Sequence, residues 1–262
     1  MRLKQEAMGW HQAGLAAVWV EVAETWGSVP RETGTRMVVA ADRVAGSIGG
    51  GHLEWQAIEC ARARLGLADE WRQDIALGPT LGQCCGGRLT LRYGPLTGQA
   101  LAAWPDEASL FDLQLYGAGH VGRAVVGALA ALPCRVWWID ERESEFPPPP
   151  PPPGVTPLCV EPVEAEVQQA PPGCHFLVMT HSHDLDLRIA EAILRRGDFG
   201  FLGLIGSATK RARFVQRFER RGIAPEALAR LTCPIGIPGI GGKSPAVIAL
   251  AVAAQLLQVA GG

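Results

Sequence analysis

Phe111-Asp112-Leu113-Gln114-Leu115-Tyr116-Gly117-Ala118-Gly119-His120-Val121-Gly122 decides how the second half of this chain is read. A mostly apolar, strand-like run ends in glycines spaced G-x-G-x-x-G, and residues 121–131 then follow a helical pattern. In that setting the first glycine permits a tight strand-to-helix turn and the second lets backbone approach a pyrophosphate. The third permits close packing of helix on strand, and the helix start adds a positive dipole end. The next strand, Arg135–Asp140, closes on a carboxylate 18 residues after Gly122, where an acid would bind a ribose hydroxyl. Gly117, Gly119, Gly122 and Asp140 are therefore candidate cofactor-binding residues. His120 either faces the ligand or caps the helix.

The rhythm of strand, helix, strand continues outward from this motif. Strands fit 156–160, 175–180 and 201–205, and helices fit 185–196, 209–221 and 245–257. Alternating βα units predict a Rossmann-like, doubly wound parallel sheet over 110–262. Seven consecutive prolines, 147–153, form a stiff polyproline spacer, read as a rigid surface loop. Residues 1–98 read differently, as a smaller α+β domain. A short amphipathic helix is followed by strands at 16–22 and 36–40, a helix at 53–65, a polar strand near Asp74 and a strand at 89–93. Residues 99–109, with Pro105 and two acids, read as a linker.

Composition narrows the function. The 262 residues include 32 glycines and 20 prolines, a fifth of the chain, which signals many turns and close backbone approaches. With 48% hydrophobic and 19% charged residues the chain is globular, not disordered. A formal net charge of −2 argues against nucleic acid and anionic membranes as partners. The apolar run 246–254 is about half of what a membrane span needs, and the first residues lack the apolar core of a signal peptide. Seven cysteines, with only Cys84 and Cys85 close together, point to reduced thiols in a cytoplasmic protein.

Four further motifs invite chemistry. His181-Ser182-His183-Asp184-Leu185-Asp186 approaches a metallo-hydrolase pattern, but Leu185 and Asp186 stand where that ligand set needs Asp and His. It reads better as a substrate-facing loop after a strand, with Asp184 or Asp186 capping the next helix. Gly242-Lys243-Ser244 resembles the end of a phosphate-binding P-loop, but Ile237 stands where that motif needs glycine. Ser244 as a cap before Pro245 is the better reading, with Lys243 available to an anion. Lys210, Arg213, Arg217, Arg220 and Arg221 share one helix face, read as solvated. Finally, Gly82-Gln83-Cys84-Cys85-Gly86-Gly87 puts two adjacent thiols on a glycine-rich turn, where both cannot be ordinary core residues. Soft thiolates suit molybdenum, copper or sulfur transfer.

These residues carry a resemblance. The first half, with Gly27-Ser28-Val29-Pro30-Arg31, Gly46-Ser47-Ile48-Gly49-Gly50-Gly51-His52-Leu53-Glu54 and the Cys84-Cys85 turn, is similar to the XdhC/CoxI family. So is the second, with its glycine loop, Thr180-His181-Ser182-His183-Asp184, Leu204-Ile205-Gly206-Ser207 and Cys233-Pro234-Ile235-Gly236. The resemblance implies an accessory protein, not an enzyme, for xanthine dehydrogenase or a related molybdenum hydroxylase. Such a protein binds the molybdenum cofactor (molybdopterin), protects it during sulfuration and delivers it to the apo-enzyme. Implied partners are the hydroxylase's molybdenum subunit, a cysteine desulfurase and a second copy of the chain in a homodimer. Cys84 and Cys85 become the candidate metal and sulfur-handling residues. Gln83, Gly49, Gly50, Gly51, His181, His183, Ser207 and Lys243 join the glycine loop as candidate cofactor contacts. Two rival readings are an NAD(P)-dependent oxidoreductase, resting on the glycine loop and Asp140, and a scaffold that bridges desulfurase and hydroxylase without binding cofactor.

Overall fold

The computed structural model describes residues 2–77, 87–105 and 109–261, and the chain divides into two units, Met1–Glu107 and Ala108–Gly262. Gln83, Cys84 and Cys85 lie outside the described residues.

The first unit runs α1 (Arg2–Gln12), β1 (Ala17–Trp26), β2 (Arg36–Ala40), β3 (Val44–Gly46), α2 (Gly51–Arg62), β4 (Trp71–Ala76), β5 (Arg88–Pro95) and α3 (Gly98–Ala103). Its strands form one antiparallel sheet in the order β3-β2-β1-β5-β4. Period-2 alternation sorts the side chains onto two faces. Val18, Val20, Leu89, Leu91 and Tyr93 meet α2 through Leu53, Ala57 and Ala61, spaced i, i+4, i+8. Ala17, Trp19 and Val38 face the other way, towards Ala7 of α1 and Leu101 of α3. The stretch that reads as a linker thus opens with a helix. Thr97 caps it by accepting a hydrogen bond from Ala100 N (3.1 Å), and Leu101 and Trp104 are buried in this second core.

The second unit runs β6 (Asp112–Tyr116), α4 (His120–Leu129), β7 (Arg135–Asp140), β8 (Val155–Cys159), β9 (His175–Val178), α5 (His183–Arg196), β10 (Phe201–Leu204), α6 (Ala208–Arg220), α7 (Pro225–Ala229), β11 (Leu231–Thr232) and α8 (Pro245–Gly261). The strands pair in parallel in the order β11-β10-β9-β6-β7-β8, a Rossmann sheet whose direction of winding reverses between β6 and β9. Central strands are covered on both faces, which explains their nearly continuous apolar runs. Leu113, Leu115 and Leu177 face α4 and α8, whereas Tyr116, Phe176 and Val178 face α5 and α6. No helix among the described residues is long and apolar enough to cross a membrane. The short elements β3, α7 and β11 escape periodicity, because two to five residues do not complete a pattern.

One buried ring gives this unit a pH signature. His175, the first residue of β9, is 7% exposed. It stacks on Phe111 (centroids 5.5 Å apart) and meets the edge of Phe201, and neither ring nitrogen has a hydrogen-bond partner. Burial pushes its pKa below the ordinary histidine value, with Asp112 opposing in part. Because the folded pKa lies below the unfolded one, protonation favours the unfolded chain. Stability is complete above the ordinary histidine pKa and falls as pH drops through it. His175→Phe should therefore lose less stability than the parent between pH 8 and pH 5, measured as the change in urea midpoint; equal losses would remove His175 as the cause.

Candidate functional site

The glycine loop lies at the carboxyl end of β6, beside the point where the winding reverses. Its three glycines play different parts. Gly117 has φ of +118°, and a Cβ there would run into the carbonyl of Met179. A Cβ on Gly122 would run into the carbonyl of Gly117, which also accepts a hydrogen bond from Trp138 Nε1 (3.1 Å). Gly119 is different: its φ is −69°, and a Cβ would meet nothing within 4 Å. It stands as the N-cap of α4 with no side-chain cap, so the first N–H groups of the helix are not satisfied by a capping side chain. His120 is exposed at the first helical position and does not cap it.

Asp140 is 4% exposed and fully engaged. Oδ2 accepts hydrogen bonds from Ala118 N (2.7 Å) and the Arg142 terminal nitrogen NH2 (2.9 Å). Oδ1 accepts from Arg142 N and Arg142 Nε, both at 3.0 Å. Burial alone would raise this carboxyl, but the hydrogen bonds from Arg142 and Ala118 hold it below the usual carboxylate range. Arg142 also reaches Glu145 (3.4 Å), and Arg123 of α4 ties Glu145 (2.5 Å) to the carbonyl of Ala118 (3.0 Å).

The loops after β9 and β10 are joined by a second buried carboxylate. Asp186, 1% exposed, accepts hydrogen bonds from Thr180 N (3.0 Å) and Thr180 Oγ1 (2.7 Å) through Oδ1. Its Oδ2 accepts from Lys210 Nζ (2.6 Å), which also donates to the carbonyl of Ile205 (2.8 Å). Two expectations are corrected here. Ser182, not Asp184 or Asp186, caps α5, accepting from Leu185 N (3.4 Å), because Asp186 points inward to Lys210. Lys210 leaves the solvated face for the same reason, whereas Arg217 and Arg221 remain half-exposed.

The other candidates stand on neighbouring loops. His181 is exposed, with Nε2 3.7 Å from Glu141 Oε1, so the loop after β9 reaches the residue that follows Asp140. His183 is exposed at the start of α5, and Ser207 caps α6 by accepting from Lys210 N (3.2 Å). Lys243 is exposed and, with Gly206, Ile235 and Ile240, lines a cleft of about 510 Å³. The structure gathers Gly117, Gly119, His120, Gly122 and Asp140 at one loop; no hydrogen bond among the described residues joins Ser207 or Lys243 to it. Among the described residues no group of three His, Cys, Asp or Glu could hold a metal ion.

In the first unit the glycines at 49–51 all have positive φ, and Glu54 shapes their turn. Its Oε2 accepts from Ser47 Oγ (2.5 Å), Ile48 N (3.0 Å) and Gly50 N (3.1 Å). Burial would raise Glu54, but these donors hold it below its usual range. A Cβ on Gly49 would press on the Pro30 ring (2.7 Å), and one on Gly87 would run into the carbonyls of Trp26 and Ser28. Leu77 N donates to Gly87 O (2.8 Å), closing the two ends that flank residues 78–86. Glu54, Arg142 and the Asp186–Lys210 pair are the site residues that motif reading missed. The available signal was an acid soon after each glycine or threonine turn.

Comparison with known proteins bears on both units. The XdhC Rossmann domain matches residues 113–256, and the XdhC and CoxI family matches residues 10–70. The chain is 28% identical to the uncharacterized protein YqeB of Escherichia coli K12, over 99% of this chain and 46% of that protein. It spans about half the length of that curated relative. A crystal structure from Bacillus halodurans titled as a xanthine dehydrogenase superposes with a TM-score of 0.76 at 17% identity, covering 99% of this chain and 96% of that one. At that identity the likeness is one of fold.

Two sets of variants separate these roles. Gly122→Ala should cost at least about 1–3 kcal/mol by overpacking, whereas Gly119→Ala should stay within about 1 kcal/mol of the parent; equal losses in urea unfolding would erase the distinction. Lys210→Met should cost about 3–5 kcal/mol by stranding the Asp186 carboxylate, and the double variant Asp186→Leu/Lys210→Met should lose less than Lys210→Met alone. A double variant worse than that single one would show that Asp186 stabilises its loop through Thr180 even without the lysine.

Proposed function

Because the chain belongs to the XdhC and CoxI family, we propose that it is an accessory protein that carries the molybdenum cofactor to xanthine dehydrogenase or a related molybdenum hydroxylase. The observation that carries this reading is the pair of family matches, 10–70 and 113–256, which follow one another in chain order and take in the glycine loops at 46–51 and 117–122. In the hydroxylase the cofactor supplies oxidative chemistry at molybdenum; here it is cargo, held while its sulfido ligand is installed.

Each unit, taken by itself, has residues to offer such a cargo. The phosphate end of a pterin suits the start of α4, where Gly119 leaves open the space that a Cβ would fill. A thiolate suits the metal end, and Cys84 and Cys85 are the residues proposed to ligate molybdenum or to hold sulfur on its way to it. Gln83, Gly49, Gly50 and Gly51 are proposed cofactor contacts of the first unit, and His120, His181, His183, Ser207 and Lys243 proposed contacts of the Rossmann unit. The protein would turn over no substrate of its own. Its partners would be the hydroxylase's molybdenum subunit and a cysteine desulfurase, in the cytoplasm, with the chain itself a homodimer. An NAD(P)-dependent oxidoreductase leaves the first unit without a role.

The test is purification under nitrogen, with mass and molybdenum content measured on whatever small molecule is retained, followed by reconstitution of an apo-hydroxylase. Cys84→Ser and Cys85→Ser should differ, one near the parent and one unable to retain or pass on active cofactor. A double variant that binds cofactor and restores activity as well as the parent removes the thiols from the mechanism. Retention of no pterin by the parent would favour the bridging scaffold.

A further inference from the structure

The acid at the end of the second strand of a Rossmann unit ordinarily reads the ribose of a dinucleotide, accepting hydrogen bonds from its hydroxyls. For that, a carboxylate needs free lone pairs. An ionised carboxylate offers about four acceptor positions, and in Asp140 two donors meet each oxygen: Arg142 N and Nε on Oδ1, Ala118 N and Arg142 NH2 on Oδ2. The side chain is 3% exposed, so water does not compete for it. We propose that Arg142 is a specificity-determining residue that occupies the ribose-reading carboxylate and excludes dinucleotides with a free ribose diol from the glycine loop.

The strength of the plug follows from its geometry. Nε and NH2 present a planar, two-toothed fork to the carboxylate, a charge-assisted arrangement that neutral sugar hydroxyls do not match. The remaining arm of the guanidinium is held at Glu145 (3.4 Å), and Glu145 is held in turn by Arg123 (2.5 Å), itself anchored on the carbonyl of Ala118. Swinging Arg142 aside therefore breaks its side-chain bonds to Asp140 and to Glu145 together. It would also leave a buried carboxylate to be neutralised by uncharged hydroxyls alone. Asp140 keeps a positioning role throughout: its bond to Ala118 N sets the backbone between the first two glycines. A ligand that brings a phosphate without a ribose diol makes no demand on Asp140 and leaves the plug in place. This selectivity goes beyond the accessory reading and holds whether or not the cargo is the molybdenum cofactor.

The experiment titrates NADH into the full-length chain, followed by nicotinamide fluorescence, for the parent, Arg142→Gln, and the double variant Arg142→Gln/Asp140→Asn. Thermal melts verify that each is folded. Arg142→Gln is expected to bind NADH at least tenfold more tightly than the parent, and the double variant to lose that gain. Should Arg142→Gln unfold, Glu145→Gln loosens the outer arm while sparing Asp140, and a smaller gain in the same direction is expected. A parent that binds NADH as tightly as the Arg142 or Glu145 variants, or a gain that survives loss of the Asp140 carboxylate, overturns the proposal. Neither result alters the pterin and molybdenum measurements, so the two readings fail separately.

Discussion

The carbonyl oxygen of Gly117 fixes the second unit at its most crowded point. It accepts the indole N–H of Trp138 from the neighbouring strand and lies so close to Gly122 that no side chain fits between them. The start of α4 is thereby pressed onto the end of β6. From that contact follow the direction of the Ala118 N–H towards Asp140 and the open position of Gly119. Neither would survive a helix lifted off the strand by a methyl group, because interiors at this packing density have nowhere to put one.

Loops at the ends of strands have backbone groups that no ladder satisfies, and each such group needs a partner. This chain repeats one answer. Asp140 accepts from Ala118 N, Asp186 from Thr180 N, and Glu54 from Ile48 N and Gly50 N. In each case a carboxylate serves as an internal brace for a turn, and in the first two a cation neutralises it. Ion pairs of this kind add little net stability compared with apolar packing. Their effect is to give each loop one geometry.

The parallel sheet was legible in the sequence because its units are long and periodic and its turn glycines fall at fixed offsets. Its strand Arg135–Asp140, like Arg36–Ala40 of the antiparallel sheet, ends where the residues say it ends. α3 was not legible: six residues with three alanines and no charge read as a linker, and only Leu101 and Trp104 entering a core make them a helix with a purpose. The side-chain braces were equally hidden. Asp186 is an ordinary acid near a helix start, and Lys210 an ordinary base on a basic helix; only the fold brings positions 24 residues apart to 2.6 Å. The glycine loop could be found by spacing, but the unequal burdens on its three glycines depend on what surrounds each Cβ.

Those unequal burdens bear on how such chains diverge. Selection for folding alone retains Gly117 and Gly122, since a side chain at either collides with main chain. It exerts no grip on Gly119, where the space is open. A Rossmann unit of this build with no ligand to carry would keep its architecture and two of its three glycines, and drift would be recorded at the middle one. Overall likeness of shape is therefore a poor historian of what a Rossmann unit once held, and a single residue at this turn keeps the better record.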